Sequence, residues 1–153
     1  MTMLPPLTAI PAALAAFALA VTAAGATSPP TRPDPQIADG TLQRGLDAAR
    51  KRWKAAHVGS YRYTLDVSCF CRPNQHVYVV RRGIPKGGAG ADKEVATVPR
   101  LFRLIQREID AGVADLAVTY GKRGVPRSIA VDGSRQIADD EVSYAISRFA
   151  VLG

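Results

Sequence analysis

A chain of 153 residues is long enough for one folded domain and too short for two. Its hydrophobic content of 47% excludes wholesale disorder. The formal net charge of +7 comes mostly from arginines scattered along the chain, which read as a solvated basic surface. Attraction to anionic envelope polymers, lipid head groups or nucleic acid is the alternative, but no nucleic-acid motif accompanies the charge.

Residues 1–26 read as a signal segment. Leu4 to Ala26 carries no charged side chain, Leu7 to Val21 is an apolar run, and Ala24-Gly25-Ala26 is an A-x-A cleavage site. The stretch before it has no Lys or Arg, so an uncleaved membrane anchor is the alternative; Pro11 and the small alanines make that a weak span. No cysteine precedes Cys69, which leaves none for lipid attachment near the cleavage site. Residues 27–40 hold Pro29, Pro30, Pro33 and Pro35 and read as a Pro-rich linker. A single domain is expected over residues 41–153.

The domain opens with a helix capped by Thr41 or Asp39, with Leu42, Leu46, Ala49 and Trp53 as its apolar stripe and Gly59 as its stop. The stretch Tyr61–Pro73 alternates cleanly. Tyr61, Tyr63, Leu65, Val67, Cys69 and Cys71 fall on an apolar face; Arg62, Thr64, Asp66, Ser68, Phe70 and Arg72 fall on a face that is polar except for Phe70. One wet face indicates an antiparallel sheet, and Pro73 ends the ladder. Arg72–Gln75 reads as a turn and His76–Arg82 as a second strand of open register. Gly83 to Asp92 reads as a flexible loop that matches no phosphate-binding pattern. Thr97 caps a second helix with Pro99 in its first turn; Val98, Leu101, Phe102, Leu104, Ile105 and Ile109 form its stripe and Gly112 ends it. Leu116, Val118 and Tyr120 mark a third strand, Gly121–Pro126 a turn, and Ile129 and Val131 a fourth strand ending at Asp132-Gly133. Val142, Tyr144 and Ile146 suggest a fifth strand, although Val142, Ile146 and Phe149 also suit a helix. The order α-β-β-α-β-β(-β) predicts an α+β domain: a mostly antiparallel four- to five-stranded sheet with two helices on one face.

Trp53, Tyr61-x-Tyr63-x-Leu65, Cys69-Phe70-Cys71 with Pro73, the Thr97 helix, Val118-Thr119-Tyr120, Gly124-x-Pro126 and Ala138-Asp139-Asp140-Glu141 together resemble a bacterial exported family of unknown function, DUF6174-like. The resemblance runs from Trp53 to the C-terminus and implies a secreted or lipoprotein-tethered protein. This chain departs from it in lacking a lipidation cysteine. The resemblance brings no established activity.

The candidate chemistry centres on Cys69 and Cys71. In an exported protein, two cysteines suggest a disulfide. Strand neighbours at i and i+2 lie about 6.6 Å apart at a rise of ~3.3 Å, at the upper edge of the roughly 4.4–6.8 Å a disulfide spans, so pairing calls for a bulge around Phe70. A local structural disulfide is the reading adopted; free buried thiols come next, and a redox role follows from the reducibility of strained pairs. Cys69, Cys71, His76 and His57 could supply a metal site, but the cysteine spacing is not the usual one. Asp139, Asp140 and Glu141 lack EF-hand spacing and read as a solvated turn, and Asp66 reads as exposed. No catalytic residue, metal or cofactor is assigned.

The sequence therefore points to an exported, periplasmic or extracellular envelope protein: a non-catalytic binding module, with Phe70 as a surface contact. Its partner, an envelope protein or ligand, is unknown. Nucleic acid is not expected, membrane contact is limited to the signal segment before cleavage, and the protein is expected to be a monomer. The alternative is a thiol-redox accessory protein using Cys69-Phe70-Cys71. Mass spectrometry of the mature protein should find a new N-terminus at Thr27; a chain that keeps Met1 or Met3 and stays in the membrane contradicts export by cleavage.

Overall fold

The computed structural model describes residues 32–72, 74–86, 90–137 and 139–153. The expected signal segment with its cleavage site, the first linker prolines, Pro73, residues 87–89 of the glycine loop and Ala138 lie outside the described residues.

The elements in chain order are α1 (Pro35–Ala38), α2 (Thr41–Ala55), β1 (Tyr61–Cys69), β2 (Asn74–Arg81), β3 (Ile84–Lys86), a 3-10 turn (Gly90–Val95), α3 (Val98–Ala111), β4 (Asp115–Tyr120), β5 (Pro126–Asp132) and β6 (Val142–Val151). The strands form one sheet of order β3-β2-β1-β6-β5-β4 in which every neighbour is antiparallel. Two three-stranded meanders meet at its centre, where the first and last strands of the domain, β1 and β6, pair. Helix α3 carries the chain from one edge of the sheet to the other.

The apolar stripes read from the sequence converge on one side of this sheet. Leu42, Leu46 and Ala49 of α2 and Val98, Leu101, Phe102, Leu104 and Ile105 of α3 share one core with Tyr61, Tyr63, Leu65, Tyr78, Val80, Leu116, Ile129 and Ile146. The register places all of those strand residues on the same face. Trp53, Val67, Ile109 and Val118 are half-buried at its margin. Trp53 meets Tyr61 edge-to-face at 5.3 Å and Phe149 at 6.1 Å.

Several expectations are corrected. There are six strands and three helices, not four or five strands and two helices. Segment 32–40 does not behave as a linker throughout: Asp34 caps α1, its backbone N–H donates to Val113 O at 2.9 Å, and its buried carboxylate accepts from Gln36 N and Leu116 N at 2.6 and 3.0 Å. Packing thus begins upstream of Thr41. The Asp39 carboxylate does receive the Thr41 N–H, at 2.8 Å, but from one residue before Gly40, which holds the cap position with φ 75°. Helix α2 stops at Ala55, with His57 in the left-handed region at φ 47°, so Gly59 is not its stop. The turn after β1 lies two residues earlier than expected: β1 ends at Cys69 and β2 opens at Asn74. Part of the expected loop is β3, joined to β2 through Arg82 and Gly83, both at positive φ, the pairing that a two-residue hairpin turn demands. Val142–Val151 is a strand, the first of the two alternatives its pattern allows.

The tyrosines of β1 tie the two halves of the fold together. Tyr63 donates its hydroxyl to Val95 O at 2.6 Å, and the Tyr61 hydroxyl accepts from Val98 N at 3.0 Å. Val98 opens α3, where backbone N–H groups have no partner within the helix. Thr97 satisfies Arg100 N at 3.3 Å, so side chains serve two of these donors. Both phenols are buried.

Tyr63→Phe removes the donor from a buried carbonyl and should cost about 1–3 kcal/mol in urea unfolding; an unchanged midpoint contradicts the hydroxyl's role. Burial pushes the Tyr61 and Tyr63 phenols above the ordinary tyrosine value of 10.0. The folded state therefore holds these protons more tightly than the unfolded chain does. Stability should be level below the unfolded value near 10 and fall as pH rises beyond it toward the folded values. Tyrosinate absorbance followed against pH, alongside circular dichroism, checks this: ionisation of all five tyrosines near pH 10 in an intact fold is the contrary result.

Candidate functional site

With both long helices on one side, the other face of the sheet carries what the fold leaves exposed. Its central floor is small: Ser128 and Ala130 of β5, Ser143, Ala145 and Ser147 of β6, and Ser68 of β1, aligned by the register, with Thr64 of β1 on the same face but buried. Asp66 stands among them and accepts a hydrogen bond from Gln75, its cross-strand partner. Thr119 and Ser128 share a hydroxyl pair at 2.6 Å. Between these pairs lies a groove of about 350 Å³. Toward β3, apolar groups emerge instead, with Val77 60% and Ile84 61% exposed. Among the described residues no element covers this face.

Cys69, Phe70 and Cys71 stand at one end of it. Cys69 is the last residue of β1 and half-buried, while Cys71 lies beyond the strand and is exposed. Cys71 therefore does not share the core face as the alternation suggested. The chain bends at Phe70 instead of bulging within the ladder, because β1 has already ended. This bend brings the two Cα atoms to 5.0 Å, well inside the span of a disulfide. Phe70 is 81% exposed beside a shallow hollow bordered by Ser68, Asp139, Glu141 and Ser143. The sequence separated Phe70 from Asp139 and Glu141; the fold brings them together because β6 follows its acidic turn directly alongside β1.

The four residues considered for a metal do not assemble. His76 lies opposite Leu65 on the core face of β2, close to Tyr78, and His57 is exposed at the end of α2. Among the described residues no three His, Cys, Asp or Glu side chains gather to hold a metal ion. No described helix is long and apolar enough to cross a membrane.

The sequence reading missed a second hollow at the other end of the sheet, lined by Tyr120, Lys122, Arg123, Arg127 and Phe149. Each of its cations reads alone as a solvated side chain. Only the turn between β4 and β5, folded back onto α2, gathers them. Gly124 permits that fold: it has φ 78°, and a Cβ there would stand 2.1 Å from Ala49 O.

An antiparallel α+β domain with a C-F-C corner at one end of a half-covered sheet is the class this architecture defines. The chain belongs to a family of unknown function, DUF6174, whose model matches residues 45–151. The match opens inside α2 and closes with the last residue of β6, so it takes in the whole sheet and leaves out α1. No curated protein and no solved structure matches the chain.

Proposed function

We propose that this protein is an exported, non-catalytic binding module of the cell envelope, with its partner seated on the uncovered sheet face around Phe70. The exposure of Phe70 carries the reading: a large ring standing in solvent at the rim of a polar face gains by burial against a partner. The neighbouring Asp139 and Glu141 favour a partner with basic groups around its apolar contact. In this reading Cys69 and Cys71 pair as a local disulfide that stiffens the corner presenting Phe70. A closed loop this short adds little stability through chain entropy, so its contribution is to shape.

The exposure of Cys71 favours one second reading, in which the pair exchanges electrons with other thiols as a redox accessory. Intact-mass measurement after alkylation separates the two. The binding reading expects no adduct on native protein and two after reduction, with no disulfide-reductase turnover. Rapid, reversible labelling under mild reductant supports the redox reading instead. A photo-crosslinking residue at position 70 should capture a discrete partner in exporting cells that the same residue at position 103, on the helical side, does not capture. Identical adducts at both positions contradict a site at Phe70.

A further inference from the structure

The two ends of the sheet differ in charge. Asp115, Asp132, Asp139, Asp140 and Glu141 lie at the cysteine end, where Arg72 and Arg135 offset part of their charge. Arg62, Arg81, Arg148 and the turn from Lys122 to Arg127 lie at the other, where α2 also ends with Arg52 and Lys54 in its last turn. No acidic residue occurs in 122–127 or 147–153. The hollow of about 430 Å³ bounded by Tyr120, Lys122, Arg123, Val125, Arg127 and Phe149 opens at this cationic end.

Its construction departs from regular sheet geometry on two sides. The β4–β5 register slips between Thr119 and Tyr120, pairing Tyr120 with Pro126 and leaving Arg127 without a ladder partner. The β1–β6 register slips between Arg62 and Thr64, with Arg148 at φ 50° on the opposite strand and Phe149 brought to the hollow. Bulges re-aim side chains, and here two of them serve one cavity. The aliphatic stem of Arg127 lies along Gly121, 3.5 Å from where a Cβ would sit.

The charge here is uncompensated. Lys122, Arg123 and Arg127 have no ion pair or hydrogen bond with any described residue. The other basic hollow, lined by Lys93, Arg100, Arg103 and Arg107, is different: Arg107 binds Glu94 and Glu108 at 3.1 Å each, and Arg100 donates to Lys93 O. Tyr120 adds a hydroxyl that makes no hydrogen bond with a described residue. Burial pushes its phenol up to about 12, against the lowering influence of Arg50 and Arg52, so it stays a donor at neutral pH. Three like charges around one cavity repel one another until a counter-charge enters.

We propose that this hollow binds a phosphate-bearing ligand, with Arg123, Arg127 and Lys122 on the phosphate and the apolar part of the ligand against Phe149 and Val125. Guanidinium groups pair with phosphate through parallel charge-assisted hydrogen bonds, which sets phosphate above a bare monovalent anion. A soluble phosphate compound and a phospholipid head group present the same chemistry. The site lies at the opposite end of the sheet from Phe70 and stands or falls independently of the partner there.

The test uses the purified protein with two probes: inorganic phosphate, followed by titration calorimetry, and flotation with phosphatidylcholine vesicles with or without phosphatidylglycerol. Arg123→Gln with Arg127→Gln should weaken binding roughly tenfold or more, the loss expected of a charge-assisted hydrogen bond, whereas Arg103→Gln leaves it within about twofold. These arginines are exposed, and an unchanged melting temperature shows that the variants remain folded. Binding of free phosphate identifies a soluble ligand; binding only to the phosphatidylglycerol vesicles identifies a head group. Failure to bind either probe overturns the proposal. So does an equal loss from Arg103→Gln, which makes net charge, not the hollow, the cause.

Discussion

The fold depends on two phenol groups reaching out of a central strand to the start of a helix. β1 has strands on both sides and helices above it, so its core-facing side chains have no route to water. Tyrosine in such a place requires a partner for its hydroxyl. The partners are the carbonyl of Val95 and the amide of Val98, which lie on either side of the entry to α3. These bonds satisfy the tyrosines and a helix end at once, and they set where the crossing helix begins relative to the sheet. The rings add directional packing around the same point: Tyr61 stacks on Tyr63 at 6.1 Å, Tyr63 tilts against Tyr78 at 5.3 Å, and Phe149 closes on Tyr61 at 5.5 Å. The last strand is thereby joined to the first through side chains as well as through its ladder.

Much of this was legible because the helical stripes and the alternation of β1 obey their periods without interruption. Where a period breaks, the reading became ambiguous for a definite reason. Val142, Ile146 and Phe149 look helical because the bulge at Arg148 adds one residue to β6. Without it, residue 148 and not Phe149 would follow Val142, Tyr144 and Ile146 onto the core face. A register slip had imitated a change of secondary structure. The short elements were hidden differently. Asp34 followed by Pro35 is a helix-start pattern, but the density of prolines around it spoke for a linker. Arg82-Gly83 is a two-residue hairpin turn without the Asn or Asp that usually announces one.

The two candidate sites differ in legibility for the same reason. Cys69, Phe70 and Cys71 are contiguous, so the sequence shows the group directly; what it could not show is that the strand ends at Cys69, so that the bend at Phe70 holds the two Cα atoms 5.0 Å apart instead of at the spacing of a flat strand. The cationic hollow has no contiguous signature. Tyr120, the Lys122–Arg123 turn, Arg127 and Phe149 come from three strands and a turn, and two of them are placed by bulges that no periodicity reveals.

The charge of the molecule acquires a direction once the fold is known. Antiparallel strands return every turn to one of two ends, so residues distant in sequence accumulate at common edges. Acids outnumber cations in the turns beside the cysteines, where Arg72 and Arg135 also lie, while the turn beside Gly124 carries cations alone. Helix α2 runs the same way, with Asp39 at its amino end and Arg52 and Lys54 at its carboxyl end, each of the sign that the helix dipole favours there. A net charge of +7 spread evenly would serve solubility alone. Sorted between two ends, it gives the protein an orientation in the field of any charged surface. The cationic surplus lies at the end that carries the hollow, so an anion is attracted to that end more than to the other.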